Sequence, residues 1–158
     1  MKNKMQKTLS VLLAMMIVCT VLFTGCQPDK QVLETPASSE NSDPSLVITN
    51  DYIAIKVTQE LMDGATDMTL MDYMTKLKDK GELEFAISDG MITSINGTAN
   101  PEDYSSCWML YTSDADNSNA SWGTVEYEGQ EYGSAISGAE TLKIKADQLY
   151  IWVFKSFS

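Results

Sequence analysis

The sequence predicts an α+β domain, a sheet of five or more strands with one helix packed across a face. Three observations predict it. Apolar residues recur at helical spacing once, early in the domain, and at least five other runs alternate at strand spacing. The last of those runs, Tyr150-Ile151-Trp152-Val153-Phe154, is apolar on both sides, as a central strand covered on both faces must be.

In chain order, Lys2, Lys4 and Lys7 precede an apolar run from Val11 to Phe23, the n-region and h-region of an export signal. The run falls short of the roughly 20 residues a spanning helix needs. It ends in Phe23-Thr24-Gly25-Cys26, which resembles the lipobox of bacterial lipoproteins. That resemblance implies cleavage after residue 25, a lipid on Cys26, and a location at the cell membrane on its extracytoplasmic face. Two acyl chains at about 0.8 kcal/mol per buried methylene hold a protein stably to a bilayer. Residues 26–45 are rich in Pro, Ser, Thr, Glu and Asp, too polar to offset the entropy of ordering, and are expected to be a disordered tether. The domain is expected over residues 46–158.

Within it, Ile53, Ile55 and Val57 lie on one side of a strand with Lys56 opposite. Thr69 stands three residues before Asp72 and caps a helix whose stripe is Leu70, Met74 and Leu77 and which ends near Gly81. Asp72 in its first turn, with Lys76, Lys78 and Lys80 toward its end, suits the helix dipole. Leu83, Phe85 and Ile87 then alternate with Glu82, Glu84 and Ser88. Asp89-Gly90 turns the chain into Met91–Ile95, and Asn96-Gly97 turns it again. Cys107–Tyr111, Thr141–Lys145 and Tyr150–Phe154 complete the predicted strands, while Trp122, among Asn119, Ala120, Ser121 and Gly123, is expected in an exposed loop.

Composition narrows the chemistry. The chain has no histidine, which removes Ser-His-Asp and Cys-His catalysis and most zinc sites, so a non-enzymatic role is expected. Without the three leader lysines, eight Lys face 22 acidic residues, a net charge of about −14 that disfavours nucleic acid and anionic lipid head groups. Cys107 is then the sole thiol outside the leader and the lipid attachment, in a strand beside Trp108 with no imidazole to activate it. The carboxylate pairs Glu82/Glu84 and Glu126/Glu128 alternate with apolar residues and belong to solvated faces. Asp114, Asp116 and Ser118 fall at calcium-loop positions, but Asn119 replaces the required Gly and Val125 the bidentate Glu, leaving a polar surface loop. The aromatic residues Tyr104, Trp108, Tyr111, Trp122, Tyr127 and Tyr132 gather in one stretch, and an exposed Trp commonly marks a binding surface.

Asp89-Gly90-Met91-Ile92-Thr93-Ser94-Ile95-Asn96-Gly97, followed by Ser106-Cys107-Trp108-Met109-Leu110-Tyr111, resembles the transcobalamin-like C-terminal domain over about residues 50–155. The resemblance implies a β-grasp-like mixed sheet. It also implies a ligand surface made by the strand of Trp108, Leu110 and Tyr111 and by the segment of Trp122 and Gly123. Cobalamin is the ligand it points to, held through apolar surface and backbone, since no imidazole is present to take the cobalt's axial position. The expected function is therefore capture of a small ligand, a corrinoid, for delivery to an uptake transporter in the membrane. The alternative is a cell-surface protein-interaction or adhesion module with no small ligand. A concave pocket at Trp108 and Trp122 would favour the first, and a flat apolar patch or unpaired edge strand the second.

Overall fold

The computed structural model describes residues 31–33 and 45–157. The leader of residues 1–25, the lipid attachment at Cys26 and nearly all of the tether of residues 26–45 lie outside the described residues. The strands are β1 (Gln31–Leu33), β2 (Leu46–Ile48), β3 (Tyr52–Lys56), β4 (Phe85–Ser88), β5 (Met91–Ile95), β6 (Thr98–Ala99), β7 (Ser106–Thr112), β8 (Ser118–Tyr127), β9 (Gln130–Ala135) and β10 (Leu149–Ser156). Two helices, α1 (Gln59–Met62) and α2 (Leu70–Asp79), lie between β3 and β4. The fold is α+β and mostly strand. One sheet has seven strands in the order β1-β8-β9-β7-β10-β3-β2, and a second has three, β4-β5-β6.

α2 forms where the stripe and cap require. Thr69 Oγ1 accepts from the Asp72 N–H at 3.1 Å while the Asp72 carboxylate accepts from the Thr69 N–H at 2.9 Å, a complete capping box. The helix buries Leu70, Tyr73, Met74 and Leu77 against Ile53, Ile55, Trp108, Leu110, Tyr150 and Trp152.

β10 lies between β7 and β3, antiparallel to both. Period two sends Tyr150 and Trp152 to the helix-covered face and Ile151 and Val153 to the other, and all four are buried. The second face is covered because the large sheet curls. Tyr52 on β3 and Tyr127 on β8 are four strand spacings apart, roughly 19 Å in a flat sheet. Their rings nonetheless meet edge to face at 5.7 Å between centroids. Curling encloses Tyr111, Val125, Ile151 and Val153 between them.

Three expectations change. Gln31–Leu33, inside the expected tether, pairs parallel with β8. Leu33 is buried in the second cluster, so an open sheet edge supplies burial that the surrounding polar composition hides. Thr141–Lys145 is not a strand: only one isolated bridge, Thr69 to Lys143, forms there. Leu142 and Ile144 are buried nonetheless, and the Leu70 N–H donates to the Leu142 carbonyl at 2.9 Å, so their alternation reflects packing beside α2 rather than sheet pairing. Trp122 lies within β8, not in a loop, at a register irregularity between Asn119 and Thr124. Such a bulge explains why the local sequence, Asn-Ala-Ser-Trp-Gly, reads as irregular. Strands β8 and β9 escape sequence reading because glycine and polar residues interrupt their alternation.

Candidate functional site

The site is a groove of about 410 Å³ between the small sheet, β7 and the segment that leaves β9. Its base is Trp108, Leu110 and Trp152, three buried residues of the central strands. Trp152 pairs with Leu110 across the β10–β7 ladder, which puts both on one face. One wall comes from Met91 and Ile92 of β5, and the other from Ala135 through Ala139. No lining residue is charged.

Asn100 fixes the first wall. Its own N–H donates to the Thr93 carbonyl at 2.8 Å, its Nδ2 donates to the Ile92 carbonyl at 3.0 Å, and its Oδ1 accepts from the Trp108 N–H at 3.2 Å. The Trp108 indole N–H donates to the Thr98 carbonyl at 2.9 Å, a second tie from β7 to the small sheet. β7 needs these bonds because β9 pairs with it only at Tyr111 and Thr112, leaving the preceding stretch with β10 on one side and no strand on the other.

The groove mouth is apolar and open. Met91, Tyr104 and Ile136 all line it and are exposed, Tyr104 at 60%. Tyr104 also has φ +53, an uncommon conformation for a bulky side chain. The turn in which its N–H donates to the Pro101 carbonyl at 3.0 Å holds it there.

Of the five residues expected to meet a ligand, the groove brings together two, Trp108 and Leu110. Tyr111 faces the opposite side of the sheet and is buried in the second cluster. Gly123 lies near it, since a Cβ on Gly123 would stand 3.9 Å from the Tyr111 hydroxyl. Trp122 is 63% exposed and does not line the groove. A single surface formed by all five is therefore not what the fold builds: adjacent strand residues such as Leu110 and Tyr111 point to opposite faces. Sequence reasoning missed Trp152, Asn100 and the residue 135–139 segment. The one signal was Trp152 itself, a tryptophan in a doubly covered strand whose N–H must find a partner.

Other polar groups have structural work. Lys145 Nζ lies 2.8 Å from Asp114 Oδ1 and 2.7 Å from Asp116 Oδ2, so an ammonium occupies the position that the calcium-like spacing suggested for a cation. Burial works against ionising Asp114, but hydrogen bonds from Lys145, Asn117 and the Asp116 N–H together hold its carboxyl below the usual range. Burial pushes the Cys107 thiol up, keeping it protonated at neutral pH, and its Sγ lies 3.7 Å from Met109 Sδ. Burial, then the charge of Glu128, raises Tyr52 and Tyr132 as well. Among the described residues, no group of three or more His, Cys, Asp or Glu could hold a metal ion, and no helix is long and apolar enough to cross a membrane.

No family model, curated protein or solved structure matches the chain.

Proposed function

We propose that this chain is an exported, lipid-anchored protein whose domain captures a small ligand without chemical change and passes it to an uptake transporter. The groove supports this reading. Its volume falls within the roughly 300–1,000 Å³ of small-molecule sites, and it has an apolar base with a few polar groups. In this reading Cys26 carries the lipid, the protein sits on the extracytoplasmic face of the cell membrane, and the domain is a transcobalamin-like C-terminal domain of β-grasp-like architecture. A corrinoid is the ligand that the resemblance implies. It is larger than the groove and would enter by one edge, leaving the rest of its surface for the transporter to cover.

A second reading, as a protein-interaction or adhesion module, is favoured by Trp122, whose large exposed ring lies outside the groove.

Titration of the full chain with cobalamin, by calorimetry, tests the first reading with Met91→Glu and Trp122→Ala alongside. Met91 is exposed at the mouth, so its replacement adds charge without touching the core. Saturable binding that weakens in Met91→Glu and persists in Trp122→Ala is the expected result. No binding by folded protein at high ligand concentration would remove the corrinoid, and binding lost only in Trp122→Ala would move the site to β8.

A further inference from the structure

Strand β7 has an edge that the fold leaves open. β10 covers one side of it from Ser106 to Thr112, whereas β9 meets the other side only at Tyr111 and Thr112. Ala135, which would stand opposite Leu110, pairs with Ser118 of β8 instead. The groove runs along that edge. Cys107, Trp108, Met109 and Leu110 all line it, although neighbours in a strand point to opposite faces. Trp108 and Leu110 belong to the helix-side cluster, and Met109 packs against the other one. A space that touches all four borders the main chain of the strand as well as one of its faces. The wall across the groove does not close it: the Ile136 N–H donates to the Asn117 carbonyl, the Gly138 carbonyl accepts from Leu142, and the Ala139 carbonyl accepts from Met71.

The direction of the edge groups follows from the ladder. The Trp108 N–H donates to Asn100 Oδ1, on the side away from β10. Its register partner, Phe154, likewise turns its N–H away, to the Asp51 carbonyl. In a strand the N–H and C=O of one residue point to the same side, and residues two apart repeat the direction. The Trp108 C=O and the Leu110 N–H therefore both point toward the open edge. An added antiparallel strand would need both main-chain groups of Trp108, and Asn100 already holds the N–H. A parallel strand needs the Trp108 C=O and the Leu110 N–H, which a single one of its residues can engage together.

We infer that the groove takes a short extended peptide, which adds to β7 as a parallel strand with apolar side chains toward Trp108 and Leu110 and a positively charged amino end at the rim. This rests on the groove being the ligand site and not on the corrinoid. Main-chain bonds along the edge supply affinity, and the apolar base selects the alternate side chains that face it. The edge from Cys107 to Leu110, at about 3.3 Å per residue, spans about 13 Å, room for four or five residues. Charge agrees with this occupant. The lining is uncharged, but Asp89, Asp103 and Glu140 are exposed and each adjoins a lining residue, whereas no lysine does so along the chain. Lys155 stands opposite Cys107 across the ladder. The Glu140 carboxylate lies over Gly90, 2.9 Å from where a Cβ would stand. A parallel peptide has its amino end toward Ser106, the end of β7 that Asp103 precedes by three residues, so acidic groups meet the ammonium.

The probe is the pentapeptide Lys-Val-Thr-Val-Thr amide, whose two valines fall on one face of a strand. The full chain is held in lipid nanodiscs, and binding is measured by calorimetry. Met109-Leu110 is the one Met-Leu step in the sequence, so carbonyl-13C methionine with 15N leucine selects a single amide signal by NMR, that of Leu110. That signal is expected to move downfield on saturation with the peptide. Methylating the peptide's amide nitrogens one at a time should weaken binding about tenfold where the amide faces β7 and little at the positions on either side. Replacing the peptide's Lys with Glu should weaken binding about fivefold. Met91→Lys, which puts a cation at the mouth, should weaken it as well. Peptide binding with a stationary Leu110 signal, or with equal effects of methylation at every position, overturns strand addition. Equal affinity of the Lys and Glu peptides overturns the cationic amino end. No peptide binding, with cobalamin bound and weakened by Met91→Glu, overturns the inference and leaves the groove reading standing. Peptide and cobalamin binding both indifferent to charge at residue 91 overturns the two together. The Leu110 signal and the methylation series are read on the unaltered chain, so they decide the matter even where a variant fails to fold.

Discussion

Replacing Asn100 with alanine removes the side-chain bracket that joins the small sheet to β7. Two hydrogen bonds disappear, Nδ2 to the Ile92 carbonyl at 3.0 Å and the Trp108 N–H to Oδ1 at 3.2 Å. The Trp108 N–H has no strand on that side to take over, because β9 reaches β7 only at Tyr111 and Thr112. Each stranded group costs about 1–3 kcal/mol when fully buried. Both bonds are partly buried, so the lower end applies to each and the sum is about 2 kcal/mol. For a domain of this size that corresponds to a fall of about 8 °C in thermal midpoint. Thermal unfolding followed by circular dichroism measures the fall, and amide hydrogen exchange at Trp108 locates it: exchange there should accelerate while that of Ile151 in β10 follows only the global change. A midpoint within about 1 °C of the unaltered protein, or slow exchange retained at Trp108, would show that Asn100 does not hold the wall.

Thr69→Ala opens the capping box of α2 and should cost about 1 kcal/mol in chemical denaturation, with no change in groove binding. Gly90→Ala forces a side chain into φ +78 and should cost about 1 kcal/mol. Its Cβ would stand 2.9 Å from Glu140 Oε2, the end of an exposed chain that can turn away, so adding Glu140→Ala should recover little of the loss. The lowered pKa of Asp114 stabilises the fold above the unfolded value of about 3.9, and that stabilisation is lost as pH falls through the folded pKa. Thermal midpoints should therefore drop more steeply below about pH 4 in the unaltered protein than in Asp114→Asn, with equal slopes as the contrary result. The raised pKa of Lys145 acts at the other end: its contribution is full below the unfolded value of about 10.4 and fades as pH rises beyond it.

What sequence revealed of the fold follows how local each element's determinants are. The cap, stripe and charge order of α2 lie within about three helical turns, and helix and cap appear as read, with the last helical residue at Asp79. β3, β5, β7 and β10 likewise carry their own alternation or apolar density. β8 and β9 do not. Gly133 sits where a Cβ would be 2.9 Å from the Ala120 backbone nitrogen, so β9 needs glycine for a close approach that only the β8 bulge explains. A residue chosen to make room for a partner strand looks, from its own neighbours, like a turn residue. Val32-Leu33 is the same problem at the sheet's edge: two apolar residues in a polar stretch become a strand only because Val125, Glu126 and Tyr127 of β8 offer an open edge.

The site was legible to the extent that period two was followed strictly. Trp108 and Leu110 share a face, and the strand predicted as central supplies Trp152 opposite Leu110 on that same face. Carrying Tyr111 into the same set broke the alternation, and the fold sends it to the far side. Trp122 was singled out because it is a large ring among small polar residues, and its exposure follows from the bulge rather than from any contact with the groove. The walls are a different matter, since Asn100 and the residue 135–139 segment converge on Trp108 only through tertiary packing. A strand face can thus be read from one sequence, whereas a cavity is a relation among faces.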